Sequence, residues 1–343
     1  MISAQIARLK IRGYRRFQEP IAFELTGPDG RPSRRFLIAG PNGCGKTSFL
    51  EAALWALGRE EWIHGQLQPE DRRRWLRSSM TADAEVSLAL QVDSAPGTIL
   101  GPRTPCRLEL TRTPTAWGLT VGDERQSLLD DEAEIRKVIL EISLEWFSSW
   151  RQPYLPGPVR PLAELPERAH GEAGRLWRLK QRLVDEQARS AFGGPPGRTA
   201  DWLESLNRAW IALRGDDGTR LVLNLAAGEE GLSHIDLWIE REVPEFGAQR
   251  IFPIDQLSSG ELEWLALVGT LITGGGEGIV LIDEPELHLH PEWQARLLPA
   301  LEQVVPGSQI ILATHADPPW DQVYSYERLL LVSAGDPRAE GHS

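Results

Sequence analysis

Residues 40–47 read GPNGCGKT, between an apolar stretch, RRFLIAG, and a helical one, KTSFLEAALWAL. The match to G-x-x-x-x-G-K-[ST] runs through Gly40, Gly45, Lys46 and Thr47, and it constrains the fold more than any other feature. Such a loop needs a buried strand before it and a helix after it. The glycines let backbone amides wrap an anion closely, the lysine supplies a point charge, and the threonine offers a hydroxyl to Mg²⁺. A purely structural glycine turn is the competing reading, and the strand and helix flanks oppose it. The whole loop, Gly40, Pro41, Asn42, Gly43, Cys44, Gly45, Lys46 and Thr47 with Ser48 behind it, is therefore a candidate phosphate cradle. Cys44 reads as a small filler of that loop rather than a redox group.

A second constraint lies far downstream in GIVLIDEPELHLHP. Four apolar residues, Ile279 to Ile282, read as a parallel strand buried on both faces. Ligands gather at the carboxyl ends of such strands. Asp283 is thereby a candidate Mg²⁺ ligand and Glu284 a candidate base for an attacking water. A third strand, QIILATH, ends at His315, which is placed to contact a terminal phosphate or the attacking water. His288 and His290 invite a zinc reading, but no cysteine or third histidine stands near them in sequence. Packing or subunit contact is the expected role.

The 343 residues are 41% hydrophobic, enough to bury a core, and only Cys44 and Cys106 could pair, which opposes a disulfide framework. No apolar run reaches membrane-span length and the N-terminus lacks a secretory h-region, so a cytoplasmic protein is expected. The formal net charge of −12 argues against a protein covered in nucleic-acid contacts. One local basic stretch, DRRRWLRSS, sets Arg72, Arg73, Arg74 and Arg77 around Trp75 and keeps DNA open as a partner. The alternative is a solvated turn or helix. Residues 251–300 hold eight acids against one arginine and are no nucleic-acid face.

Along the chain, AQIARLKI, RRFLIAG, EVSLALQVD and CRLELTR read as strands in a first zone, 1–160. Leu176, Leu179, Leu183 and Val184, then Trp202, Leu206, Trp210 and Leu213, recur at helical spacing around FGGPPGR. They imply a helical insertion over 161–215. Strands return over 216–343 in RLVLNLAA, HIDLWIE, GIVLIDE, QIILATH and RLLLVSA. The expected fold is α/β, a P-loop NTPase with a mainly parallel sheet, an antiparallel β subregion and a short helical insertion. LSSGE at 257–261 then opens an apolar helix, and the free amides of a helix start suit an anion. One chain therefore offers two phosphate-binding helix starts for one nucleotide site.

Phosphate loop, LSSGE, IVLIDEP and ATH, in that order, resemble the ABC-type ATPases. IRGYRRF before the loop and EPELHLHP after the strand are similar to the RecF, SMC and OLD branch. Here Ser259 stands where the family's Leu-Ser-Gly-Gly-Gln signature has its first glycine, and Glu261 where it has glutamine. Transporter ATPases usually place these motifs closer together than Lys46 and Ser258, 212 positions apart (258 − 46).

The resemblance implies a Mg²⁺-dependent ATPase that forms a head-to-tail homodimer, each ATP held by one copy's loop and capped by Ser258, Ser259, Gly260 and Glu261 of the other. It implies catalytic roles for Lys46, Glu284 and His315, and Mg²⁺ contacts from Thr47 and Asp283. A glutamine joining Mg²⁺ to a mobile lobe is assigned to Gln152, with Gln91 and Gln68 as alternatives. Arg15 is placed near the nucleotide, or else at the surface. Relatives of this branch act in DNA repair or beside effector genes in antiphage defence, so the expected partner is a separate effector, nuclease or toxin, or DNA. No long coiled coil is present, and the 28 residues after His315 in this sequence leave no room for the TOPRIM nuclease domain of OLD proteins. Two rivals stay open: a transporter subunit, which needs a membrane partner, and a scaffold or antitoxin that binds ATP without turnover.

Overall fold

A computed structural model describes residues 2–65, 67–93, 106–121, 128–129, 132–149, 153–166, 169, 171–191, 198–228, 231–243, 247–274, 277–315 and 322–332. The elements follow in chain order: β1 (Ser3–Tyr14), β2 (Ile21–Glu24), β3 (Arg35–Ala39), α1 (Lys46–Ala56), α2 (Pro69–Ser78), β4 (Met80–Asp93), β5 (Cys106–Arg112), β6 (Trp117–Val121) and β7 (Leu128–Leu129). Next come α3 (Glu132–Glu141), β8 (Leu144–Phe147), α4 (Arg175–Ala191), α5 (Thr199–Arg214), β9 (Thr219–Gly228), β10 (Gly231–Val243) and β11 (Gly247–Pro253). The last are α6 (Ser259–Gly274), β12 (Ile279–Asp283), α7 (Pro291–Val304), β13 (Gln309–Thr314) and β14 (Arg328–Leu330). They divide into two units, one of Met1–Ser149, Gly276–Pro285 and Gly307–Ser343, the other of Trp150–Gly275 and Glu286–Pro306.

In the first unit the apolar runs of β12 and β13 are buried at every position and form the centre of a five-stranded sheet, ordered β14-β3-β13-β12-β8. All four pairings are parallel. A second sheet, β2-β1-β4-β5-β6-β7, is antiparallel, and β1 alternates buried and half-buried residues along much of its length. Helix α1 packs against strands of both sheets. That position explains why KTSFLEAALWA is buried nearly all round instead of along one stripe. Phe49, Leu50, Leu54 and Trp55 are all buried, each contributing about 1.5–3 kcal/mol. Gln309, fully buried, stitches β1 to the parallel sheet. Its amide nitrogen donates to the carbonyls of Ile6 (2.9 Å) and Ser33 (2.8 Å), and its Oε1 accepts from the Ile6 amide at 2.7 Å.

The second unit holds the antiparallel sheet β11-β10-β9 and four helices, α4 to α7. Leu176, Leu179, Leu183 and Val184 make the buried face of α4, and Leu206, Trp210 and Leu213 that of α5. Where α4 meets α6 the fit is close: a Cβ on Gly269 would lie 2.4 Å from Leu179 Cδ2. Lys180 is fully buried between two carboxylates, Asp236 at 2.6 Å and Asp255 at 2.7 Å, and also donates to the Gly157 carbonyl at 3.1 Å. An unpaired charge in that place would be strongly destabilising, so the triad is held as a set.

Candidate active site

Strand register decides what meets at the head of the parallel sheet. Asp283 on β12 pairs with Ala313 on β13, and Thr314 pairs with Ala39 on β3. The residues just beyond, Glu284, His315 and Gly40, therefore leave the sheet along one edge. The loop after β3 turns back at once into α1. Gly40 has φ 150°, and a Cβ there would lie 2.1 Å from the Leu331 carbonyl oxygen. Gly45, at φ 112°, starts α1 from a conformation that L side chains rarely adopt. Asn42 and Gly43 are exposed, whereas Cys44 is buried under the loop. Lys46, itself buried, folds back so that Nζ donates to the carbonyls of Gly40 (2.8 Å) and Pro41 (3.2 Å).

Two pairs form across this edge. Thr47 Oγ1 donates to Asp283 Oδ2 at 2.9 Å. His315 Nδ1 lies 3.3 Å from Glu284 Oε1. Glu284 holds φ 49°, rare for a residue with a side chain, and its amide donates to the Ala313 carbonyl at 2.7 Å. Strained backbone of this kind persists where the surroundings over-determine it, and it concentrates at working sites. Thr47 and Asp283 offer one hydroxyl and one carboxylate, hard oxygens side by side. That donor set fits Mg²⁺, which keeps waters and phosphate oxygens instead of a full protein cage. No group of three or more His, Cys, Asp or Glu that could hold a metal occurs among the described residues.

Beside the loop a polar cluster gathers around the buried Glu51, which no motif pointed to; its partner Arg15 was read only as lying near the nucleotide or at the surface. Glu51, one turn after Thr47, ion-pairs with Arg15, and His64 Nε2 lies 3.6 Å from it. Burial pushes the Glu51 carboxyl up to about 7; Arg15 opposes the shift and the charge of Asp283 adds to it. Burial lowers the His64 imidazole, and the charges of Arg15 and Arg72 lower it further. One acid inside the apolar run FLEAALWA was the available signal. Arg15, at φ 48°, also sits 5.0 Å over Trp75, whose ring packs edge-on against His64 at 4.2 Å. The basic stretch is thus partly used internally. Trp75 is occupied by Arg15 and His64, and Arg72 donates to the carbonyls of His64, Gly65 and Leu67. Arg73, Arg74 and Arg77 stay exposed.

In the second unit, Ser258 precedes α6 and Glu261 lies in its first turn. Glu261 Oε2 accepts both the Ser258 amide (2.8 Å) and the Ser258 hydroxyl (2.7 Å), and Oε1 accepts from Arg214. Ser258 and Ser259 are exposed, Gly260 buried. Close approach explains the glycine, because a Cβ on Gly260 would lie 2.3 Å from the His288 carbonyl oxygen. The two histidines of HLH diverge instead of sharing a side. His288, at φ 63°, points Nδ1 at Glu263 (3.1 Å), and His290 caps α7 by accepting the Glu292 amide at 3.4 Å. Gln152 lies outside the described residues.

Comparison with known proteins matches two family models, "AAA domain" over residues 8–89 and "AAA domain, putative AbiEii toxin, Type IV TA system" over 219–317. The first range contains the phosphate loop, the second Ser258, Asp283, Glu284 and His315. Among curated proteins, the chain is 44% identical over 73 residues to "Retron Ec83 probable ATPase" of Escherichia coli, covering 18% of this chain and 14% of that one. It is 36% identical over 95 residues to "Retron Vc95 probable ATPase" of Vibrio cholerae serotype O1 biovar El Tor, covering 24% and 17%. It is 50% identical over 40 residues to "Septu protein PtuA" of Bacillus thuringiensis, covering 12% and 10%. The matched stretches thus span less than a fifth of each relative's length. Two SMC head structures share the fold. One, bound to the C-winged helix domain of ScpA, gives a TM-score of 0.53 at 17% identity, covering 91% of this chain and 90% of that one. Another, with an extended coiled coil and bound to the C-terminal domain of ScpA derived from Pyrococcus furiosus, gives 0.51 at 17% identity, covering 92% and 90%. No helix among the described residues is long and apolar enough to cross a membrane.

Proposed function

We propose that this chain, a P-loop domain with the fold of SMC heads, is a Mg²⁺-dependent ATPase that works as a head-to-tail pair of identical copies. The observation that carries the reading is the convergence of three strand ends. It sets Thr47 2.9 Å from Asp283 and His315 3.3 Å from Glu284, beside a glycine loop with a buried lysine. Lys46 exchanges the Gly40 and Pro41 carbonyls for the β- and γ-phosphate oxygens of ATP, and the amides of the 40–48 loop wrap the rest. Thr47 and Asp283 are the residues that would hold Mg²⁺. There it would supply positive charge that offsets the charge of the phosphates. Glu284 accepts the proton of the attacking water. His315 orients Glu284 and senses the terminal phosphate. Arg15 acts through Glu51, fixing α1 behind the loop.

The second helix start belongs, in this reading, to the neighbouring copy. Ser258 and Gly260 of one chain cap the γ-phosphate held by the loop of the other, where a helix N-terminus with about half a positive charge stabilises it. A two-fold pair contains two such sites. ATP then closes the dimer and hydrolysis opens it. The retron and Septu relatives support a role in antiphage defence, with closure controlling a separate effector protein; the proposed location is the cytoplasm. An effector is favoured over DNA because Trp75 and Arg72 are engaged within the fold.

Phosphate release and binding of a fluorescent ATP analogue test the chemistry together. Glu284→Gln is expected to slow hydrolysis at least a hundredfold while ATP binding persists. Hydrolysis at the parent rate in that variant would remove Glu284 from the mechanism.

A further inference from the structure

If Ser258 caps a γ-phosphate, the residue three positions on is a difficulty. Glu261 puts a carboxylate in the first turn of α6, where an anionic ligand has to arrive. It also holds both Ser258 donors, the amide at 2.8 Å and the hydroxyl at 2.7 Å, the same groups the phosphate needs. A carboxylate there suits an empty helix start and opposes an occupied one. Arg214, the last residue of α5, meets this carboxylate from the other side through Glu261 Oε1.

The arginine is itself held in place. Its guanidinium lies 4.5 Å over the ring of Trp210 and 5.8 Å over that of Trp293. Its other arm donates to Asp217 Oδ2 at 3.0 Å. Trp210 is buried and donates to Thr219 Oγ1 at 3.1 Å, and Arg296 donates to the Leu213 carbonyl at 3.3 Å, so the end of α5 is fixed on both flanks. A guanidinium held over an aromatic face keeps its charge and its direction. Arg214 is little exposed, as is Glu261, so solvent does not screen the pair well.

We propose that Arg214 is a positioning residue for the α6 start. It neutralises Glu261 and draws the carboxylate toward α5, which lets the Ser258 amide and hydroxyl pass to the terminal phosphate bound by a second copy. The helical segment between the two halves of the ATPase thereby sets how readily ATP closes the dimer. This rests on the head-to-tail reading above.

Sedimentation with ATP and Mg²⁺, in chains that also carry Glu284→Gln to slow turnover, tests it. Arg214→Gln is expected to weaken ATP-dependent dimerisation about 10- to 100-fold, equivalent to about 1.4–2.7 kcal/mol. Adding Glu261→Gln to Arg214→Gln should restore dimerisation to within about threefold of the parent, although the stacking on both tryptophans remains lost. Arg214→Lys, which keeps the charge and folds if Arg214→Gln does not, should fall between. Dimerisation of Arg214→Gln at the parent's affinity, or a double variant no better than the single one, overturns the assignment. A parent that stays monomeric with ATP overturns the head-to-tail reading, and this assignment with it.

Discussion

Replacing Glu51 with glutamine should change how stability depends on pH while preserving the shape of the side chain. Glu51 is only 4% exposed, on a helix packed between two sheets. In the fold its carboxyl titrates at about 7, against 4.5 ordinarily, because burial outweighs the Arg15 charge beside it. The folded chain therefore favours the protonated form. The stability this contributes is complete below pH 4.5 and is lost as pH rises through 7. At ~1.36 kcal/mol per pH unit, the gap corresponds to roughly 3 kcal/mol. Glutamine keeps the shape and a hydrogen bond for Arg15 but cannot ionise. Urea denaturation of both proteins without nucleotide, from pH 4.5 to 8, reads out the group and its coupling to the adjacent His64, since titrations remote from Glu51 cancel in the difference. The parent should lose about 3 kcal/mol relative to Glu51→Gln across that range, most of it between pH 5 and 7. Parallel curves would refute the reasoning and mean that Arg15 fully compensates the charge.

Three further outcomes follow from local geometry. Gly260→Ala drives a Cβ to 2.3 Å from the His288 carbonyl; the α6 start must shift, and ATP-driven dimerisation should weaken at least about tenfold in sedimentation while single-chain ATP binding holds. Lys180→Met leaves Asp236 and Asp255 buried without their cation and should destabilise by about 3–5 kcal/mol, seen as a drop of roughly 6–20 °C in Tm. Gln309→Leu strips partners from the Ile6 amide and from the Ile6 and Ser33 carbonyls, so slower-exchanging amides of β1 should become faster by hydrogen exchange, at a loss of about 1–3 kcal/mol for each orphaned group.

Legibility in the sequence tracks distance along the chain. The phosphate loop, the apolar runs of β3, β12 and β13, and the paired carboxylates at the end of β12 are contiguous patterns, and each backbone consequence follows from neighbours. The alternating strands β1, β4 and β5 were readable for the same reason, as were the apolar faces of α4 and α5. Four-residue β8 was not: LEWF carries no period, and only pairing with β12 makes it a strand. Nor was the network that tunes the elements. Arg214 and Glu261 are 47 positions apart, Arg15 and Glu51 are 36, and Lys180 and Asp255 are 75. Such partners are chosen by tertiary packing. The basic stretch around Trp75 illustrates the reverse case, a local pattern whose tertiary partners removed part of its apparent purpose.

The head-to-tail ATP site is tested most directly by cross-linking two different chains. Both lack native thiols through Cys44→Ser and Cys106→Ser; one carries Asn42→Cys in the phosphate loop and the other Ser258→Cys before α6. Mixed with a short bismaleimide, they should give a covalent heterodimer that requires ATP and Mg²⁺, with little product from either chain alone. Equal cross-linking with and without ATP, or none in the mixture, would contradict a nucleotide held between two copies.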